Sequence, residues 1–365
     1  MSTAIRTTTT TPNTTDSWRS RVRADVGEAV DDFVAARCAD HLGRVPDTRV
    51  FRDVLAGFVA GGKYVRSAFA LAGWSCVAEP TPAAVRAAAS LELLHCFALL
   101  QDDVMDASPV RRGRPAAHVV FAEWHRREGL SGSAARFGES AAVLAGDLCL
   151  VWAEQMLRES GVDQQALARA LPRYDRMRSD LAVGQFRDLV NDARRRPALN
   201  DVRAVARAKS GDYTVRAPLQ LGAELAGASP ALLGALGDYG SAVGEAFQLR
   251  DDLLGLFGTT ELTGKPVGED LLARKATTVL VLARDRAGVN ARRALAALDI
   301  LDRLSPSDVD TYLDVIEDTG AREVAERLID QRLTEGVAAL AHAHLPAGAR
   351  ARLTDLAHLC GNRNS

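Results

Sequence analysis

Cysteine is scarce and scattered. The five thiols, Cys38, Cys76, Cys96, Cys149 and Cys360, form no C-x-x-C pair and no metal-ligand spacing. That excludes a zinc ribbon and a disulfide scaffold, and it points to a reducing, cytoplasmic compartment. Aromatic residues make up only 5% of the chain, and the Val/Ile/Thr alternation of a half-buried strand is nearly absent, which argues against a sheet. No apolar run reaches eighteen residues, so no transmembrane helix is expected. The N-terminus has Arg6 with no apolar stretch behind it and does not read as a secretory signal. A net charge of −2 gives no global positive field to attract nucleic acid. No Ser/His/Asp or Cys/His set for nucleophilic catalysis stands out.

What is present is helix. Apolar residues make up 47% of the 365 residues, enough for a sizeable core. They recur near a 3.6-residue period, as in DVGEAVDDFVAARCADHL and AREVAERLIDQRLTEGVAALAHAHL. Gly and Pro fall between these runs, at Gly61–Gly62, Pro80 to Pro82, Pro109 to Pro115, Ser229–Pro230 and Ser305–Pro306. Residues 1–16 are Thr-rich with almost no apolar content and read as a disordered tail. Residues 17–365 read as one all-α domain, a single large bundle, with no internal repeat.

Two helix ends carry carboxylates. In LELLHCFALLQDDVMDASPVRRGRP, Asp102, Asp103 and Asp106 close an apolar helix as D-D-x-x-D. Residues four apart on a helix stand roughly 5–6 Å from each other at Cβ, so Asp102 and Asp106 share a face. Such a face repels itself unless a cation holds it, and one or two carboxylates with water and phosphate completing the shell suit Mg²⁺. Arg111, Arg112 and Arg114 follow in a Gly/Pro loop. The pattern recurs in FQLRDDLLG: Gln248 and Asp252 share a face, Asp251 is adjacent, and a loop with Lys265 and then Arg274-Lys275 comes next. Two such tips facing each other would clamp a metal-bound diphosphate. Either alone is also what a solvated helix end looks like. Weaker features are Gly61-Gly62-Lys63-Tyr64-Val65-Arg66, which alone reads as a surface loop, Gly184-Gln185 with Asp188, and Lys209-Ser210-Gly211-Asp212-Tyr213-Thr214. Glu92-x-x-His95 has the spacing used in di-iron bundles, but no second such pair exists.

Taken together and in this order, these motifs resemble the trans-isoprenyl diphosphate synthases of the polyprenyl synthetase family over roughly residues 45–345, most closely a geranylgeranyl diphosphate synthase. The resemblance implies an all-α bundle around a deep central cavity, usually a homodimer. It implies a prenyltransferase that condenses isopentenyl diphosphate with an allylic diphosphate, with three Mg²⁺ ions per site. Asp102, Asp106 and Asp251 would ligate metal, with Asp103 and Asp252 in support. Arg111, Lys209 and Lys265 would contact the allylic diphosphate. Lys63, Arg66, His95 and Arg112 would hold that of isopentenyl diphosphate. Gln248 would help position metal-bound water, and Gln185 with Tyr213 or Thr214 would line the reacting centre.

Two departures stand out. Gly255 replaces the third Asp frequent in the family's second motif, and Tyr64 replaces an Arg common after the first Lys. Phe97 and Ala98, five and four residues before Asp102, carry the expectation for product length. One aromatic at the fifth position resembles twenty-carbon synthases, so geranylgeranyl diphosphate is expected, with farnesyl diphosphate the nearest alternative. A class I terpene cyclase would need N-D-x-x-S-x-x-x-E, and Arg195 stands where Ser belongs after Asn191-Asp192. An inactive regulatory subunit would be expected to have lost Asp102, Asp106 or Lys209, and all three are present.

Overall fold

The computed structural model describes residues 14–43, 48–194, 197–259, 267–301 and 303–362. The chain runs through α1 (Thr14–Leu42), α2 (Arg49–Val59), α3 (Val65–Trp74) and α4 (Pro82–Met105), then a hairpin of β1 (Val110–Arg111) and β2 (Arg114–Pro115). It continues through α5 (Ala117–Arg127), α6 (Ala134–Arg158), α7 (Gln164–Ala193), α8 (Leu199–Ala206), a π-helical segment (Arg207–Arg216), α9 (Ala217–Leu225) and α10 (Pro230–Phe257). The short α11 (Glu269–Leu272) is followed by α12 (Thr278–Arg286), α13 (Val289–Asp299), α14 (Pro306–Asp318), α15 (Ala321–Ala339) and α16 (Ala347–Gly361). The fold is all-α, as expected. Helix α1 already begins at Thr14, so residues 14–16, expected in the tail, are helical. Residues 1–13 lie outside the described residues.

The punctuation seen in the sequence becomes capping. Thr81, Ser229 and Ser305 each accept a hydrogen bond from the backbone N–H three residues on, and Pro82, Pro230 and Pro306 sit just inside the helices that follow. Proline fits there because its missing N–H would have had no helical partner. At Ser305 the Asp308 side chain completes a capping box.

Helix α4 is buried on nearly every side over its first two thirds, from Ala84 through Leu94. A helix apolar all round belongs in the centre of a bundle, and α4 packs on α6, α3 and α1. On the opposite side α10 packs on the π-helical segment, α9, α15 and α16. Both long helices send their C-terminal ends toward the same space. The expectation about membrane-length segments needs one correction: by length and composition α4 and α6 would each suffice to cross a bilayer. For α4 this reflects its central place, with 61% of its most apolar window buried in the bundle. For α6 the figure is 44%, because its outer face is apolar as well as its inner one.

Candidate active site

Asp102 from the end of α4 and Asp251 and Asp252 from the end of α10 line one cavity of about 490 Å³. Lys63, Arg66, His95, Ala98, Gln185, Lys209 and Gln248 line it too, and its apolar wall comes from Leu99, Leu181, Val202, Val205 and Ala206. Residues separated by more than a hundred positions in the chain thus meet at one end of the bundle.

The positions of the cations follow from local backbone. Lys209 lies in the π-helical segment, a wider winding often found at functional sites. Close helix contacts hold it: a Cβ on Gly184 of α7 would lie 3.2 Å from the Lys209 backbone, and one on Gly244 of α10 would lie 2.6 Å from the Gly211 carbonyl oxygen. Small residues at these crossings draw α7 and α10 onto the segment. The Lys209 ammonium then donates to Asp102 Oδ1 at 3.0 Å and to Asp188 Oδ2 at 2.6 Å.

Arg111 is presented by the hairpin, whose register pairs Val110 with Pro115 and Arg111 with Arg114. Its two-residue turn, Arg112-Gly113, has positive φ at both positions (53° and 71°), the type I′ arrangement that suits strand twist. The segment read as a loop is therefore a hairpin. Arg111 Nε donates to Asp103 Oδ1 at 2.8 Å, and its Nη2 reaches both Asp103 and Asp102. Asp103 is 1% exposed at the side chain and acts here as the anchor for Arg111.

Lys275 pairs with Asp106. Neither Lys275 nor Asp188 was assigned a role from the sequence. The stretch carrying Lys275 is held at several points. Asp192 accepts from Ala276 N at 3.0 Å, and Asp252 accepts from Thr278 N at 2.9 Å and from Gln248 Nε2 at 2.7 Å. Arg274, at φ 57°, turns the chain and donates to the carbonyls of Asp299 and Leu301. Asp192, met in the sequence only as part of a failed cyclase pattern, is thus one of these clamps.

Charge is balanced tightly. Burial pushes the Asp102 carboxyl up, but Lys209, Lys275 and Arg111 outweigh it and hold its pKa at about 2. Burial pulls Lys209 down, and Asp102 and Asp188 more than restore it. Asp252 goes the other way, pushed up to about 7 by burial that its hydrogen bonds do not offset. His95 is held well below its ordinary value by burial and then by Arg66, Arg112 and Arg111. It is therefore neutral, and its buried Nδ1 has no hydrogen-bond partner among the described residues.

Also on the cavity wall, Arg66 donates to Thr214 Oγ1 at 2.8 Å and lies over the Tyr213 ring at 4.4 Å. The buried Glu92 accepts from Ser67 N at 3.1 Å and Ser67 Oγ at 2.7 Å. It is therefore committed to fixing the start of α3, beside Arg66, rather than to a metal pair with His95. Tyr64 is 6% exposed, and a Cβ on Gly62 would lie 2.8 Å from its ring. The residue that departs from the family pattern is a core plug next to Lys63.

Some sequence expectations fall elsewhere. Arg112 lines a different cavity and donates to the Phe58 carbonyl at 3.3 Å. Ala98 is on the cavity wall, whereas Phe97 is half-buried against the core and does not line that cavity. Lys265 lies outside the described residues.

Among the described residues no three acidic or imidazole groups converge closely enough to hold an ion alone. Each tip offers only part of a shell, in oxygen. That donor set fits Mg²⁺ completed by water and phosphate oxygens, and it does not fit a metal that needs a full protein cage.

Residues 48–316 match the polyprenyl synthetase family. A geranylgeranyl diphosphate synthase of Mycobacterium tuberculosis is 32% identical over 334 residues, covering 87% of this chain and 90% of that protein. A (2E,6E)-farnesyl diphosphate synthase of Mycobacterium bovis is 33% identical over 83% of this chain and 80% of its own length. A geranylgeranyl pyrophosphate synthase from Corynebacterium glutamicum, solved with isoprenyl diphosphate and magnesium, superposes with a TM-score of 0.88 at 36% identity, covering 96% of this chain and all of the other. With two aspartate-tipped helices meeting over one cavity and matches that span most of the sequence, the chain belongs to the polyprenyl synthetase family of prenyltransferases.

Proposed function

We propose that the protein condenses isopentenyl diphosphate with an allylic diphosphate, head to tail and in trans, to give geranylgeranyl diphosphate, with Mg²⁺ as its metal at three ions per site. The observation that carries this reading is the shared cavity of Asp102 and Asp251, lined by Lys63, Arg66, Lys209 and Lys275 together with apolar Leu99, Leu181, Val202 and Val205.

Asp102, Asp106 and Asp251 would hold the metal, which when bound offsets the charge of the diphosphates and favours departure of the allylic one. Lys209, Lys275 and Arg111 already converge on these carboxylates. When a diphosphate enters, their positive charge turns toward the oxygen on which negative charge builds as the C–O bond breaks. Donors aimed there lower the barrier, typically by about 2.7–4 kcal/mol for each good one. Lys63, Arg66 and neutral His95 would orient the second diphosphate at the other end of the cavity. Leu99, Leu181 and Val202 keep water from the allylic cation, and the Gln185 side chain, whose buried Nε2 has no hydrogen-bond partner among the described residues, is available to face it. The proton lost after carbon–carbon bond formation goes to the departing diphosphate, so no side-chain base is required.

Product length is read at Ala98 on the cavity wall, with Phe97 packed behind it against the core. We assign the protein to the cytoplasm, since all five cysteines are free and buried. The homodimer is supported by an apolar outer face on α6 and α7, where Leu144, Val151, Val183 and Phe186 are 61%, 61%, 59% and 66% exposed. A second copy would cover it. Leu144→Glu with Phe186→Glu should then yield monomers by light scattering, and a dimer unchanged by both would place the contact elsewhere.

The deciding experiment mixes the purified protein with Mg²⁺, isopentenyl diphosphate and farnesyl diphosphate. A twenty-carbon diphosphate is the expected product. A released hydrocarbon would instead mean a cyclase, and no turnover an inactive subunit.

A further inference from the structure

Lys209 is flanked by two attachments to helix α10. Two residues before it, Arg207 opens the π-helical segment, and its Nη2 lies 3.7 Å from Glu245 Oε2. Two residues after it, Gly211 meets Gly244: a Cβ on Gly244 would lie 2.6 Å from the Gly211 carbonyl oxygen and 2.9 Å from its Cα. These atoms are main chain and cannot swing aside. Gly244 and Glu245 are consecutive, and Asp251 and Asp252 follow within two turns of the same helix.

Glu245 is itself a junction. Its side chain is 12% exposed and pairs with Arg203 of α8, with Arg207 and with Arg332 of α15, the last at 3.0 Å. Arg332 has a second carboxylate in Glu335 at 2.6 Å. For Arg203 and Arg207, Glu245 is the one ion-pair partner among the described residues. The Arg203 pair is the closer of these two, and Arg203 is 28% exposed against 50% for Arg207, so it carries most of the attachment.

We propose that Glu245 is a positioning residue for prenyl transfer. By fastening α8 and the start of the π-helical segment to α10, it fixes the direction in which Lys209 points, between Asp102 and Asp188. The inference rests on reading the cavity as a metal–diphosphate site, and it adds a residue outside that cavity's lining.

The physical argument has two parts. A contact between glycines sets the spacing of two backbones, but it offers no side chain to fix how one lies along the other. The ion pairs at Glu245 supply that registration next to the glycine contact. The carboxylate also keeps like charges together. Arg203 and Arg207 are four residues apart, a spacing at which two cations on a helix repel, and Arg332 is a third. Without Glu245 the start of the wide π winding is released. If it tightens to an α-helix, each residue taken up turns the following side chains by about 100°, and Lys209 leaves its bridge.

The test compares wild type, Glu245→Gln, Lys209→Gln and the double variant. It is read by steady-state condensation of isopentenyl diphosphate with farnesyl diphosphate at saturating Mg²⁺, with thermal unfolding alongside. Glu245→Gln keeps the shape and removes the charge. It should lower kcat about a hundredfold, the scale for a misplacement of about 1 Å caused away from the chemistry. KM for isopentenyl diphosphate should not change, because Lys63, Arg66 and His95 belong to other elements. In the Lys209→Gln background the same substitution should cost no more than about twofold, since no ammonium is left to misplace. A merely structural carboxylate would lower kcat by the same factor in both backgrounds. That result would overturn the proposal, as would an unchanged kcat in Glu245→Gln. Arg203→Gln removes one arm of the junction and should show the same pattern at smaller size, which decides the matter if Glu245→Gln does not fold. A wild type without turnover would overturn the functional reading as well, whereas a failure confined to these variants leaves that reading standing.

Discussion

Replacing Lys209 by Gln removes one charge and keeps most of the length. In the structure its ammonium bridges Asp102 at 3.0 Å and Asp188 at 2.6 Å, with its side chain 20% exposed. Two consequences differ in size. For the resting protein, Asp102 keeps Arg111 at 3.4 Å and is still near Lys275, so the loss in stability should be about 1–3 kcal/mol, the scale for a buried group losing one partner. For turnover, a charge aimed at the departing diphosphate is lost, and kcat/KM should fall about a hundred- to thousandfold. The Asp102 carboxyl also loses its largest opposing charge. Its pKa of about 2 lies below the ordinary 3.8, so the stability it contributes is present above 3.8 and lost as pH falls toward 2. In the variant that window moves up. The assay is incorporation of labelled isopentenyl diphosphate at saturating Mg²⁺, run beside thermal unfolding and a pH profile. A folded Lys209→Gln protein within tenfold of wild-type kcat/KM would refute the assignment of this lysine to the leaving group.

Ala98→Phe should shorten the product toward fifteen carbons, because Ala98 is on the cavity wall; product chromatography showing an unchanged twenty-carbon diphosphate would mean that the tail runs elsewhere. The metal-free protein should lose stability as pH rises from about 4 to 8, since burial holds Asp252 near 7 against an ordinary 3.8. A proton bound more tightly in the folded state stabilises it below 3.8, and that contribution disappears as pH passes 7. Asp252→Asn should flatten the slope, and an identical slope in the variant would remove Asp252 as its source. Mg²⁺ alone should bind weakly and gain strongly when inorganic diphosphate is added, because lysines already neutralise Asp102 and Asp106; tight binding of Mg²⁺ by itself in calorimetry would contradict this.

The aspartate tips were legible in the sequence because helical spacing alone aligns Asp102 with Asp106 and Gln248 with Asp252. The starts of α4, α10 and α14 were legible as Thr-Pro and Ser-Pro pairs for an equally local reason. Other features depend on distant partners. The π-helical winding around Lys209 has no residue signature of its own and reflects Gly211 meeting Gly244 of α10. Lys275 acquires its place from Asp192, Asp252 and the left-handed Arg274, none of which adjoins it on a helix. The hairpin at Val110 to Pro115 carries no hairpin signature in the sequence, because its turn uses Arg rather than Asn or Asp before the Gly. Tyr64 looks like a weakened anion anchor, yet its ring packs against Gly27 of α1 as well as the neighbouring Gly62, and no local pattern connects it to α1.

The stretch from Asp270 to Thr278 touches α4 through Lys275, α7 through Ala276 and α10 through Thr278. Successive residues thus fasten to different helices, so adding or deleting even one amino acid between them would shift every later attachment out of phase. Tags, cleavage sites or natural length variation should therefore be rejected within this stretch, however conservative the inserted residues are.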